Sequence, residues 1–200
     1  MKKPLFPLIL FLFLCANQLI AQVGDSGWQE FNRERLRLNR VGMQVLGGWA
    51  IANFAISGVG ITQSTGETKA FHQMNVGWNL VNITLAGFGY FNALRGETDL
   101  DAIQSICEHE SIMRIFLFNA GLDLGYIMGG AFLLERSKNV TKNSARLAGF
   151  GKSIMLQGGF LMLFDAIMYF AHQQHGKSEL PGLISGLSVG PSGIRYCLSF

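Results

Sequence analysis

Charge is nearly missing from four long stretches of this chain, residues 41–61, 71–94, 112–134 and 147–171. Across all four, only Arg114, Asp123, Lys152 and Asp165 carry an ionisable acid or strong base. Cysteine is scarce as well, with 3 in the chain and no Cys-x-x-Cys pair, which argues against a membrane disulfide oxidoreductase. There is no phosphate-cradling glycine loop, no serine nucleophile elbow and no His-Glu-x-x-His pattern, so three common enzyme classes lose their signatures. The net charge of +3 is small, and no basic patch interleaved with aromatics is present, which argues against nucleic acid. With 200 residues there is room for one bundle and no separate soluble domain.

What remains is hydrophobic and rich in glycine. Each of the four stretches is long enough to cross a hydrocarbon layer, which takes about 20 helical residues. Glycine recurs inside them, as membrane helices tolerate. The expected fold is therefore all-α: an integral membrane four-helix bundle over 41–172, with a short irregular or hairpin-like C-terminal tail.

Residues 1–21 read as a signal peptide. Lys2 and Lys3 form a basic start, 5–14 an apolar middle, and Leu19-Ile20-Ala21 a cleavage site ending in a small residue. The alternative is an uncleaved first span and five crossings. Leu14 is too bulky for a lipoprotein reading of Cys15. Removing the leader places the mature N-terminus outside the cytoplasm, and four crossings return the C-terminus to that side. The loops agree. Arg136, Lys138, Lys142 and Arg146 fill the third connection, which should face the cytoplasm, whereas Glu97, Asp99 and Asp101 dominate the second. The expected address is a bacterial cytoplasmic (inner) membrane, multi-pass. One segment disagrees, because Arg33, Arg35, Arg37 and Arg40 lie on the outer side. Residues 22–40 are accordingly expected to form an interfacial amphipathic segment, with Trp28, Phe31, Leu36 and Leu38 facing lipid. The same segment could bind anionic headgroups or reach back over the bundle.

The spans carry polar residues at helical spacing. His72, Asn75, Asn79 and Asn82 fall at steps of 3, 4 and 3, which places them on one face. Span one offers Asn53 and Ser57; span three Asn119, Asp123 and Tyr126; span four Gly158, Asp165 and His172. Turning amides to lipid costs free energy, so these faces should meet inside the bundle as one polar network. Two roles compete for that network. It could be structural glue, at roughly 0.6–2 kcal/mol per interhelical hydrogen bond. It could instead bind a cation or pass protons through Asp123 and Asp165. Gly121, Gly125 and Gly129 form a small-xxx-small run about half a turn from Asp123. That run could pack within the bundle or against a second copy of the chain as a homo-oligomer.

At the outer rim, Cys107-Glu108-His109-Glu110 precedes span three, and His172 and His175 close span four. His109, His172 and His175 are weak metal candidates, because His-x-x-His alone is a poor signature. Neither a metal nor a cofactor is expected, and no catalytic residue stands out. Cys107 and Cys197 would share the oxidising side, where a disulfide could form. From Glu179 onward Pro181, Gly182 and Gly186 should break the helix. Ile194, Tyr196, Leu198 and Phe200 alternate as a short strand would, so the tail should form a hairpin on the outer face.

The runs Arg37-Leu38-Asn39-Arg40, Gly42-Met43, Gly47-Gly48-Trp49-Ala50, Phe71-His72-Gln73-Met74-Asn75 and Trp78-Asn79 carry a resemblance. The chain resembles an uncharacterised family of small bacterial membrane proteins with a leader and four spans. That resemblance implies no activity. No likeness to four-span transporters, rhomboid-type proteases or cytochrome bundles is evident; the last would need paired axial histidines, and His72 and His172 lie at opposite depths. The leading expectation is a non-catalytic structural, assembly or sensing component that sits in the lipid bilayer, its protein partner unknown. The alternative is a small ion or proton conductor acting as an oligomer. An enzyme working from the rim histidines ranks last.

Overall fold

The computed structural model describes the backbone of residues 5–185, 187–190 and 193–196, and the side chains of 26–185. Four helices follow one another: α1 (Leu5–Gln63), α2 (Gly66–Arg95), α3 (Ala102–Lys138) and α4 (Ser144–Ser185). Two short antiparallel strands end the described chain, β1 (Leu187–Gly190) and β2 (Gly193–Tyr196), with Val189 opposite Ile194. The expected tail hairpin is therefore present; Leu198 and Phe200 lie outside the described residues. So do the side chains of the leader, whose backbone from Leu5 onward continues into α1.

The turns follow from local chemistry. Gly66 opens α2 at φ 57, a left-handed conformation that glycine adopts without strain. Asn143 takes φ 66 just before α4, and asparagine is among the few side chains that tolerate it. Asp101 caps α3 by accepting from the Gln104 amide at 2.8 Å, while Gln104 Oε1 accepts from the Asp101 amide at 3.4 Å. Pro181 does not end α4 as expected; the helix runs four residues further. Proline removes one backbone hydrogen bond there, and the freed carbonyl belongs to Lys177, an exposed residue at a solvated end.

The helices pair as two hairpins, α1 with α2 and α3 with α4, and α2 lies against α4 to join them. Glycines set the closest approaches. A Cβ on Gly151 would sit 2.6 Å from the Gly130 carbonyl, and one on Gly130 would sit 2.7 Å from the Gly151 carbonyl. Gly149 packs in the same way against the α2 backbone at Glu67 and Phe71. The expected run is a different one. Gly121, Gly125 and Gly129 are exposed, and an added Cβ would touch nothing within 4 Å. Their packing role within the bundle is thus corrected: α3 turns the side that carries Asp123 and Gly130 toward α4, which leaves the run outside.

The interior is inverted relative to a water-soluble bundle. The largest fully buried side chains are all polar, headed by His109, His172, Gln157, Asn32, Asn75 and Asn79. The exposed set is apolar, with Phe88, Phe118 and Ile56 each about two-thirds exposed, at 69%, 67% and 66%. A modest apolar cluster of Leu46, Ala86, Phe116, Phe164 and Met168 holds the centre. Among the described residues, three helices are long and apolar enough to cross a membrane, in α1, α3 and α4. The fourth, α2, falls short of that hydropathy because it carries the row of amides, yet Leu80, Val81, Leu85, Phe88 and Phe91 clothe its outer side.

The segment expected at the interface belongs to α1. Trp28, Phe31 and Leu36 are buried at 5%, 2% and 7% exposure, so they face protein rather than lipid. They pack on the ends of α3 and α4: Phe31 stacks on His175 at 4.5 Å and tilts against His109 at 5.2 Å. Of the alternatives, reaching over the bundle describes the segment.

Candidate functional site

Three polar constellations lie along the bundle axis. The first joins α1, α2 and α4. Asn75 Nδ2 donates to Ser57 Oγ at 2.7 Å and to Asn53 Oδ1 at 3.1 Å, and Gln157 Nε2 donates to Asn75 Oδ1 at 2.5 Å. Gln157 Oε1 in turn accepts from Trp49 Nε1 at 3.1 Å and from Asn82 Nδ2 at 3.5 Å. His72 Nδ1 lies 3.2 Å from Ser57 Oγ, toward the end where α1 meets α2. Asn79 donates to the Asn75 carbonyl at 2.8 Å, while its own Oδ1 is buried without a partner. The amide face of α2 therefore does point inward. Its main partner escaped the sequence reading: Gln157, fully buried, links three helices, and Ser153 one turn earlier is buried beside Asn75. The four-residue step from Ser153 to Gln157 was the signal available.

The second constellation is Asp123 on α3 with Asp165 on α4. Their carboxyls lie close together between the helices, and they are 3% and 5% exposed. Asp123 Oδ2 is buried without a hydrogen-bond partner. Two carboxyls in contact require a proton or a cation between them, since bare like charges repel. The expected single network of amides and acids is thus two groups. The acids do not hydrogen-bond to the amides; instead, both line a cleft that also exposes Asn82 and Asn119.

That cleft holds about 780 Å³ between α2 and α3. It forms because these two consecutive helices barely touch: each pairs with another neighbour. Its back is closed by α1 near Leu46 and α4 near Phe164. Val81, Leu85, Ile115 and Leu122 form apolar walls, and Arg35, Arg95, Glu97 and Glu108 line the end toward the acidic connection. Toward its other end Trp78 meets Tyr126 edge to face, with ring centroids 4.8 Å apart.

The third constellation is the histidine end, beyond residues 112–134 and 147–171. His109 lies 5.9 Å from His172 and 5.8 Å from His175 between ring centroids. His172 Nε2 lies 2.9 Å from the Asn39 side-chain oxygen, and His175 Nε2 donates to the Phe31 carbonyl at 3.1 Å. Arg35, 3% exposed, approaches Glu108 at 3.6 Å and donates through Nε to Asn32 Oδ1 at 3.2 Å. Asn32 donates onward to Ser105 Oγ at 2.7 Å. Burial pushes His109 down to about 4, helped by the nearby His175 and Arg35 charges. The His109 imidazole is therefore neutral at pH 7. Sequence reasoning found the three histidines but not that Arg35 and Asn32 would be buried beside them. Among the described residues, no group of three His, Cys, Asp or Glu is arranged to hold a metal ion. Cys107 is exposed, and Cys197 lies outside the described residues.

Fold and interior together define a class: an all-helical bundle, polar within and apolar without, with helices suited in length to a bilayer. Residues 45–166 match the family model DUF6992, described as a family of unknown function, and the chain belongs to that family. The match contains the Asn75–Gln157 network and the Asp123–Asp165 pair, and stops short of His172 and His175. No curated protein and no solved structure matches the chain.

Proposed function

We propose that this protein is an integral membrane component of a bacterial cytoplasmic membrane, with four crossings and no catalytic centre. The observation that carries the reading is the inversion of the bundle: amides, acids and imidazoles inside, Phe, Leu and Ile outside. Exposed apolar surface on that scale is unfavourable in water and neutral in lipid, while buried amides satisfy one another. The basic loop around Lys138 and the acidic loop around Asp99 support a cytoplasmic third connection and extracytoplasmic termini. The exposed Gly121–Gly125–Gly129 run leaves room for a second copy of the chain at close range. Alkaline carbonate extraction of native membranes tests the reading. Retention in the membrane pellet is the expected result; release into the supernatant removes it.

A second reading, conduction of protons or small cations, is favoured by the Asp123–Asp165 contact at the cleft. From Asn82 on the same wall, hydrogen bonds run through Gln157 and Asn75 to Ser57 and His72. On this reading, proteoliposomes show a proton or cation flux that Asp123→Asn or Asp165→Asn abolishes. A parent protein without flux, or variants with full flux, would end it.

A further inference from the structure

The geometry points to a binding site for a lipophilic organic cation in the cleft between α2 and α3, held by the Asp123–Asp165 pair beside the Trp78 and Tyr126 rings. The inference rests on the membrane reading above. Four observations converge on it. First, Asp123 Oδ2 is buried, lacks a hydrogen-bond partner and belongs to a residue that lines the cleft. Such an acceptor favours a positively charged occupant over a neutral one. Second, the cleft's Arg35 and Arg95 line its end toward the acidic connection, and no Lys or Arg of its lining lies near the two acids in sequence. The positive charge that would balance the pair must come from a proton or from a ligand. Third, Trp78 and Tyr126 line the same cleft as the acids, Tyr126 one helical turn from Asp123, and aromatic rings with a carboxylate are the usual means of attracting an alkyl- or aryl-substituted cation. Fourth, the walls are apolar and the volume of about 780 Å³ suits a molecule well beyond the size of a metal ion or water.

The same features disfavour an ordinary phospholipid. A phospholipid seated with its headgroup at the polar end of the cleft would place acyl methylenes against the two acids and leave Asp123 Oδ2 unpaired. A cation with an apolar body satisfies both walls and floor. The sparse contact between α2 and α3 also leaves the cleft open along its length, so such a ligand could enter from the hydrocarbon layer.

Tetraphenylphosphonium and tetraphenylborate have nearly the same shape and opposite charge, which makes them a matched pair of probes. The full chain in phosphatidylcholine nanodiscs, dialysed to equilibrium against empty nanodiscs, should bind tetraphenylphosphonium saturably at one site per chain and tetraphenylborate not at all. Asp123→Asn should weaken binding at least about tenfold, as loss of a buried charge partner does. Trp78→Leu should weaken it about threefold or more. Val81→Trp, a change at an exposed residue of the wall, should block the cleft and covers the case in which Asp123→Asn fails to fold. Equal uptake of both probes, or unchanged affinity in Val81→Trp, overturns the site. Neither result touches membrane residence, which carbonate extraction decides separately.

Discussion

Gln157 on α4 donates its side-chain amide to Asn75 Oδ1 on α2 at 2.5 Å, and the same residue accepts from Trp49 on α1. One uncharged side chain thus ties three helices together, at 0% exposure. Replacing it by leucine of similar bulk leaves the Trp49 indole N–H and Asn75 Oδ1 short of partners at a buried position. The expected loss of stability is roughly 1–3 kcal/mol, the cost of stranding a buried polar group. Thermal unfolding in mild detergent measures it. Asn53→Ala, which removes one interhelical bond of 3.1 Å and one bond of 2.9 Å to the Trp49 carbonyl within α1 from a half-buried residue, should cost less. Equal effects would mean that Gln157 is not the hub.

The glycines make a sharper comparison. Gly151 faces Gly130 across the α3–α4 contact, where a Cβ has no space, whereas Gly125 faces outward. Gly151→Leu should therefore be severe, above roughly 3 kcal/mol, because backbone rather than a flexible side chain blocks the new atoms. Gly125→Leu should leave the isolated bundle within about 0.5 kcal/mol of the parent, as outward substitutions do. Native electrophoresis of the same variant reports on self-association. A change in oligomer size with unchanged melting would locate a copy-to-copy contact at the glycine run.

Much of the fold was legible beforehand, for a simple reason. Helical spans announce themselves by length and apolarity, and the 3, 4, 3 spacing from His72 to Asn82 can put amides on one face only if that face is inward. The remainder depended on distances that spacing does not contain. Three glycines in a row looked like a packing surface, yet Gly130 and Gly151, far apart in sequence, make the contact. Gln157 looked unremarkable because a lone glutamine in a glycine-rich apolar span has no pattern beyond its step from Ser153. Trp28, Phe31 and Leu36 read as lipid-facing because amphipathicity gives a face without naming what covers it. Here Phe31 is covered by His175, which stacks on it, and by His109, which tilts against it.

Acid should weaken the histidine end. His109 is held neutral, with a folded-state value of about 4 against an ordinary 6.5. A depressed folded value means that the unfolded chain takes up protons first. Stability is then full above about pH 6.5 and falls as pH drops toward 4, by on the order of 3 kcal/mol over that window. Melting temperature in detergent should stay level from pH 8 to 7 and decline below 6.5. His109→Phe keeps an aromatic ring against Phe31 and removes one titrating group, so its decline should be shallower. An identical slope in parent and variant would assign the acid sensitivity elsewhere.

The ends of the bundle offer the last test, because they differ in charge and carry accessible positions. Cys107 is exposed at the end that holds the acidic loop, and Asn139 is exposed at the end that holds Arg136 and Lys138. If loop charge sets the orientation, intact cells treated with a membrane-impermeant maleimide should label Cys107 in a Cys197→Ser background. A Cys107→Ser, Cys197→Ser, Asn139→Cys chain should label only after the membrane is opened. Arg33, Arg35, Arg37 and Arg40 oppose this orientation, since they would pull the other end toward the cytoplasm. Three of those four charges are already committed within the protein: Arg33 pairs with Glu30, Arg37 with Glu34 at 2.6 Å, and Arg35 is buried beside Glu108. Paired arginines retain little net charge to oppose translocation, whereas the third connection holds one acid, Glu135, against Arg136, Lys138, Lys142 and Arg146. The reverse labelling pattern would show that the arginines of α1 outweigh the basic loop, and it would invert the protein in its membrane.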